Sequence, residues 1–489
     1  MSFGRQSVSP FRSSACPPAL AAWLVGVVLC SCGVTPIPAG QEVAFRLASS
    51  ASNDSDWDLG AAAAWAFVQD AGVDDERYDR GLLLMARALE ELDLSYAASL
   101  YYLEVARERR DAELIDDAVR GIERIVRGGP HDEPTLIRGF IATADIPSLP
   151  NDLQGFVDYH NGVDSLRRGL HVWAESKLRG IPEESSYYRR RAEYALAVRS
   201  LSGGELEAGR DALASLSEHD ALAPDLARDI QLAIARTAME QSRYEDAVAA
   251  YERVRTLAPE RPGLLLEMAW AHYYLGDSRR ALGLLIALDA PVHRGLIAPE
   301  RFLLEAFCLR RLCQLDPART AANRLQNRYE QALGDIHRGI LPVRSRAIRE
   351  GAKRRGVARD IWRFGHTLRE ELQRLEEHRD QFGSALSEQL ERIYVAGIEE
   401  AIRRLEAELA IEVETLASEL LRAEDGVRLI LHELSVQLLR GRRRPEGPAE
   451  RDTVDTAAGG ERVSYQFRGE FWTDELDELV VDIADRCVE

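Results

Sequence analysis

Two stretches of this chain, residues 228–261 and 262–295, superpose at a shift of 34 residues, and that period constrains the fold more than any other feature. Ala235, Tyr244, Ala247, Tyr251 and Val254 in the first meet Ala269, Ser278, Ala281, Leu285 and Leu288 in the second. Gly276 is added in the turn, and Pro259 closes the first copy. Small residues at these offsets let two helices touch within a unit, while the larger apolar ones fill the gap to the next unit. A single helical pair cannot bury its own apolar face, so such units must stack. From about residue 59 to 328 nearly every segment carries helical apolar periodicity, and none shows sustained strand alternation. The expected fold class is all-α, a solenoid of helical hairpins.

A third copy follows after an insertion at Pro291 to Ile297, with Ala306, Leu309, Ala318, Ala322 and Leu325 at matching offsets. Glu305 departs from it, standing where a large apolar residue is expected, so the third unit is either twisted or the end of the array. Weaker copies precede: Met85, Ala86, Leu89, Ala98, Tyr102 and Val105 fit one unit, and Gly162, Gly169, Ala174, Leu178 and Pro182 another. Ala208 and Ala212 point to one more. Pro130, Pro134, Pro147 and Pro150 mark an expected break between two sub-arrays. This pattern resembles the tetratricopeptide repeat over residues 78–328, most closely over the central pair. In tetratricopeptide proteins the first helix of each unit lines a concave groove. The resemblance implies a partner groove made by Leu232, Arg236 and Met239, then Leu266, Trp270 and Tyr273, then Leu303, Phe307 and Arg310. Spacing of three to four residues independently puts each set on one helix face. Arginine beside aromatics suits a peptide or helix with an acidic end. The competing reading is that Trp270 and Phe307 simply pack between units.

After residue 328 the period stops. Residues 329–440 have no proline beyond Pro342, and Glu, Arg, Leu and Ala dominate. Leu368, Leu372, Leu375, Phe382, Leu386, Leu390 and Ile393 recur at threes and fours, and Ile402, Leu405, Leu409, Leu416 and Leu420 continue the stripe. Arg379 interrupts it and no single heptad frame holds, which predicts long amphipathic helices forming a helical arm. Gly383 or Gly397 allows a bend. The stripe meets its own chain as a helical hairpin, a second copy through 358–438, or a foreign partner. Residues 441–463, with the run Arg442 to Arg444 and with Pro445, Gly447, Pro448, Gly459 and Gly460, read as a linker.

In the tail, 464–489, the residues Tyr465, Phe467, Phe471 and Trp472 surround Gly469. Thr473 with Asp474 and Glu475 predicts a helix start. Leu476, Val480, Ile483 and Cys487 then share one helical face that must dock. Cys308 and Cys313 cannot pair within one helix, because five residues separate their Cα atoms by more than the ~7 Å a disulfide tolerates. The expected pairings are Cys308–Cys487 or Cys313–Cys487, against three free thiols.

The N-terminus carries an address. Arg5 and Arg12 precede an uncharged apolar core, Ala19 to Leu29, and the next charge is Glu42. The core is shorter than the ~20 residues of a transmembrane helix and reads as a secretory signal, residues 1–31. Leu29-Cys30-Ser31-Cys32 resembles the lipobox of bacterial lipoproteins, with Cys30 replacing the usual small residue. The resemblance implies lipidation of Cys32 and, with Gly33 rather than Asp next, transfer to the outer membrane. Cleavage nearby that releases a soluble secreted protein is the alternative. Residues 32–58 read as a flexible tether. No second hydrophobic span follows, so the expected location is the cell envelope, facing an oxidising periplasm that permits a disulfide. Loss of the signal's two arginines makes the formal charge of −19 more negative still. A chain so acidic is disfavoured as a nucleic-acid binder.

No His-Glu-x-x-His helix, phosphate-cradling glycine loop, nucleophile elbow or Cys-x-x-Cys pair occurs. Carboxylates come as helical surface groups such as Glu370-Glu371, at salt-bridging spacing from Arg374. The reading is of a non-enzymatic chain without cofactor or metal: an outer-membrane-anchored scaffold for unidentified protein partners in an envelope assembly. A self-associating structural coiled-coil protein is the alternative, and a cell-wall hydrolase a remote one.

Overall fold

Alanine, leucine and glycine at helical spacing produce helices that pack closely, some on one face and others, such as those at 57–71 and 95–108, on most sides, and their pairing builds the molecule. The structure, a computed structural model, describes residues 40–129, 141, 146, 149–219, 222–257, 262–288, 290, 298–442 and 479–487. Cys32 with the rest of the signal and the first part of the tether, and residues 443–478, lie outside them. Among the described residues there are nineteen α-helices and no strand. Hairpins are made by α1 (Gln41–Asn53) with α2 (Trp57–Ala71), and by α3 (Tyr78–Glu91) with α4 (Ser95–Glu108). Next come α5 (Ile115–Gly128), the pair α6 (Asn151–Arg167) and α7 (His171–Arg179), and the pair α8 (Ser186–Ser202) and α9 (Leu206–Ser217). The repeats that superpose in sequence are α10 (Pro224–Glu240) with α11 (Tyr244–Leu257) and α12 (Pro262–Leu275) with α13 (Ser278–Ala287). The third copy is α14 (Glu300–Arg311) with α15 (Leu315–Arg328).

One device closes each of these seven hairpins. A single residue takes a left-handed φ: Ser55, Asp93, Gly169, Gly204, Ser242, Gly276 and Cys313 in turn. The N–H of the next residue donates to the carbonyl five positions back, as in Leu94 to Leu89, Glu205 to Ser200, Arg243 to Ala238 and Gln314 to Leu309. This is the Schellman closure, which satisfies an otherwise orphaned helix-end carbonyl. Ser242 and Gly276 are 34 residues apart, but Gly204 and Ser242 are 38 apart. Loop length thus varies while the turn does not, and a fixed 34-residue ruler slides out of phase toward the N-terminus. That is why Ala208 and Ala212 are misplaced by the sequence reading: both are exposed, and Gly209, Leu213 and Leu216 are the buried face of α9. Gly209 lies so close to Leu201 that a Cβ would stand 2.6 Å from its side chain.

The tether expected over 32–58 is also corrected, because α1 begins at Gln41. Its Ala44, Ala48 and Ala51 are buried against α2, where Gly60 permits close approach. Small residues looked like a linker's, but at steps of four and three they are a packing face. The core does not break at the proline-rich stretch. One cluster runs from Ala44 to Ala192, a second from Ala235 onward, and a small one around Leu213, Leu216 and Ile230 joins them.

The C-terminal helices are not a projecting arm. After α16 (Glu330–His337) and α17 (Arg346–Ala352), α18 (Gly356–Glu377) and α19 (Arg379–Arg442) form an antiparallel hairpin bent at Gly383, φ 72°. Phe364, Leu368, Phe382, Leu386 and Leu390 join the first cluster, while Leu409, Val413, Leu416 and Leu420 join the second. Near its start α19 packs on α2 and α4, and over its second half on α14, α15, α16 and α17. One helix therefore ties the two ends of the array together. The stripe expected to be open to a second copy packs against its own chain, with Leu372, Ile393 and Leu405 partly buried and Ile402 exposed.

The junction at the first end is specific. Tyr96 enters the hairpin, its ring 5.8 Å from that of Phe364 and 6.0 Å from that of Tyr394. A Cβ on Gly397 would stand 2.7 Å from the Tyr96 ring, so only glycine admits it. Glu371 on α18 accepts the Tyr96 N–H at 2.9 Å and the Tyr394 hydroxyl at 2.7 Å. It thereby caps the first turn of α4 from another element, where the helix dipole favours an acceptor.

Candidate functional site

The residues expected to line a groove fall on α10, α12 and α14, the leading helices of successive hairpins. Leu232, Met239, Leu266, Trp270, Tyr273, Leu303 and Phe307 are all half-buried against the second core. Among them is a set of rings. Trp270 lies 5.9 Å from Tyr273, 5.7 Å from Tyr274 and 6.4 Å from Phe307, and Tyr273 stacks on Phe307 at 6.1 Å. Tyr274, 48% exposed, stacks on Tyr244 of α11 at 5.1 Å. The rings pack between units and present an open face as well, so the two readings of Trp270 and Phe307 are not exclusive.

Arg236 is exposed and forms a two-pronged pair with Glu267 at 2.7 and 2.8 Å. Glu267 also accepts the Tyr251 hydroxyl at 3.0 Å, and burial together with that carboxylate pushes the Tyr251 phenol well up. Arg236 thus reaches this surface already charge-compensated.

The third set requires a correction. Gly426 of α19 faces Leu303, so that a Cβ there would lie 2.8 Å from its side chain, and Arg310 pairs with Glu433. The groove face of α14 is therefore occupied by α19, and Arg310 is engaged within the chain. Sequence could not show this, since the covering helix lies more than a hundred residues away. Glu305, the odd residue of that unit, is paired with Arg324 of α15. A mostly buried carboxylate needs such a partner, and this unit is the last of the stacked hairpins, followed by the short α16 and α17.

On the outer side the tail docks, but not as a helix. Residues 479–485 carry no helix and alternate in exposure, with Val481 and Ile483 packed on the array and Val480 solvent-facing, and a turn follows at 486–487. The Val481 N–H donates to the Arg279 carbonyl at 3.3 Å, and Arg279 Nε donates to the Ile483 carbonyl at 3.0 Å. Gln314 Nε2 donates to the Ala484 carbonyl at 2.8 Å. The Leu479 carbonyl presses onto Gly283 of α13, where a Cβ would lie 1.8 Å from it. The expected helical face through Val480, Ile483 and Cys487 fails because the array offers backbone and arginine partners that an extended chain can use and a helix cannot. Leu476 lies outside the described residues.

Cys313 is bonded to Cys487, Cα to Cα 5.1 Å. It sits in the left-handed turn beyond α14, outside the helix that holds Cys308. Cys308 is a buried free thiol, pushed up to about 12 chiefly by burial. Among the described residues no three His, Cys, Asp or Glu side chains gather as metal ligands, and no helix is long and apolar enough to cross a membrane.

Helical hairpins closed by one repeated turn and stacked on continuous cores define a tetratricopeptide-like α-solenoid. No family model matches the chain, and no curated protein matches it. Among solved structures it is similar to the TPR domain of P58(IPK), at 11% identity over 83% of this chain and 99% of that one, with a TM-score of 0.20. It is also similar to yeast Tom70, at 10% identity over 74% of this chain and 89% of that one, with a TM-score of 0.21. Superpositions that loose carry no argument about partners, and the fold rests on the chain's own helix pairing.

Proposed function

We propose that this chain is a non-enzymatic scaffold that holds a protein partner on the aromatic face of α10 and α12, and that Cys32, once lipidated, anchors it to the outer membrane facing the periplasm. The observation that carries the reading is the row of half-buried rings, Trp270, Tyr273, Tyr274 and Phe307, which continues beside the stretch of groove that α19 fills. Large rings with modest rotamer entropy are what recognition surfaces concentrate. Anchoring raises the local concentration of the partner at the membrane. The lipobox-like run ending in Cys32 supports the anchor.

The test is photocrosslinking in the cell envelope with a reactive residue at Trp270 and, separately, at Ile411, which is exposed on α19. One specific adduct from Trp270 supports the reading. No adduct there, with one from Ile411, moves the working surface to the C-terminal helices. Loss of membrane fractionation in Cys32→Ser tests the anchor independently.

A further inference from the structure

A second feature lies earlier in the array. Arg127 at the end of α5, Tyr159, His160 and Arg167 on α6, and Tyr187 and Arg191 on α8 line an open cleft of about 390 Å³, with Asp225 at the start of α10 on one side. In a chain this acidic, a concavity with three arginines and one carboxylate stands out.

The arginines are arranged around a ring. The Arg127 guanidinium lies 4.0 Å from the centre of the Tyr187 ring, and that of Arg191 lies 4.4 Å from it. Ring and cation attract each other, but two like charges gathered on one ring also repel. Compensation is uneven. Arg191 pairs with Asp225 at 2.7 Å, yet its Nε is buried and has no hydrogen-bond partner. Among the described residues Arg127 reaches one carboxylate, Glu123, at 3.5 Å, and Glu123 is already accepting the Tyr188 hydroxyl at 2.8 Å. Arg127 remains half-exposed at the cleft mouth, 48% by side chain. An under-compensated planar guanidinium at the mouth of a cleft that Arg191 also lines is the donor that an oxyanion satisfies, since carboxylate and phosphate both match its fork.

We propose that this cleft binds an oxyanion between Arg127 and Arg191, the carboxylate of an acidic segment of a protein partner, with the Tyr159 and Tyr187 rings as its walls. The site uses residues separate from the aromatic face of α10 and α12 and does not depend on that face being a partner surface.

The test follows the arginine Nε–Hε NMR signals of the full chain while a hexaglutamate peptide or inorganic phosphate is added at constant ionic strength. Saturable shifts at Arg127 and Arg191 are expected, with the peptide saturating at the lower concentration. In Arg127→Gln the apparent affinity drops at least about tenfold with an unchanged melting temperature. Arg120→Gln, on the same helix but paired with Asp152 at 2.7 Å, leaves it intact. Saturation by phosphate below the peptide concentration supports the oxyanion site and overturns its assignment to a protein segment. No saturable shift with either probe, or an undiminished response in Arg127→Gln, overturns the site itself.

Discussion

At the residue scale the informative groups are those whose environment no local pattern announces. Glu370 and Glu371 are neighbours on one helix, yet Glu371 is almost fully buried. Its carboxyl is raised from the ordinary 4.5 to about 7, chiefly by burial, with the Tyr96 and Tyr394 hydrogen bonds opposing the rise. A carboxyl raised on folding contributes stability that is fully present below about 4.5 and lost as pH rises through about 7. Glu371→Gln keeps the acceptor oxygen and removes the charge. The melting temperature of the parent chain is therefore expected to fall, relative to the variant, between those two pH values. Parallel profiles would remove Glu371 as the cause, and comparing variant with parent cancels the neighbouring His378–Asp58 pair. In the sequence, salt-bridging spacing to Arg374 marks this glutamate as a surface group, because helix periodicity reports a face and the Tyr96 whose N–H it accepts is 275 residues distant.

Elements obey the turn more than the period. Seven hairpins share one left-handed closure, and the residues supplying it are Ser, Asp, Gly and Cys, so no fixed letter marks the site. Glycine identity matters instead where another backbone approaches, as at Gly283 beneath the Leu479 carbonyl. Gly283→Ala is expected to split two effects that usually travel together. Alanine improves the helix by about 1 kcal/mol, while its Cβ expels the tail strand. Hydrogen exchange should then rise over 479–487 while α13 keeps its protection. Unchanged protection of the tail would mean that its docking rests on the arginine contacts and the Cys313–Cys487 bond without the notch. Tail placement was half legible. An aromatic, apolar tail with a cysteine has to dock, but extended versus helical was decided by the partners waiting on α13 and in the turn after α14.

For the whole molecule, α19 makes an open solenoid into a tied one. Leu390 is buried in the first core and Leu420 in the second, although both belong to the same helix. Each Leu→Ala change is expected to cost about 2–5 kcal/mol. Local exchange should rise in α2 and α4 for Leu390→Ala, and in α14 and α15 for Leu420→Ala. Identical exchange maps from the two variants would show instead that the array opens as one unit.

The sequence by itself determined the fold class, the two central hairpins and long amphipathic C-terminal helices with a bend allowed at Gly383 or Gly397, because helix periodicity and the demand to bury one face are local. It also named Trp270 and Tyr273 of α12, whose spacing is set within a single helix, but not Tyr274, which joins them by stacking on Trp270 and Tyr244. Only the tertiary structure decided that α19 returns along α14 and takes Arg310 and Leu303 out of the free groove. It likewise decided that α1 belongs to the array, that Tyr96 fills the notch at Gly397, and which cysteine meets Cys487. Each depends on which apolar faces meet across long stretches of chain, and a face read from one helix carries no record of its partner.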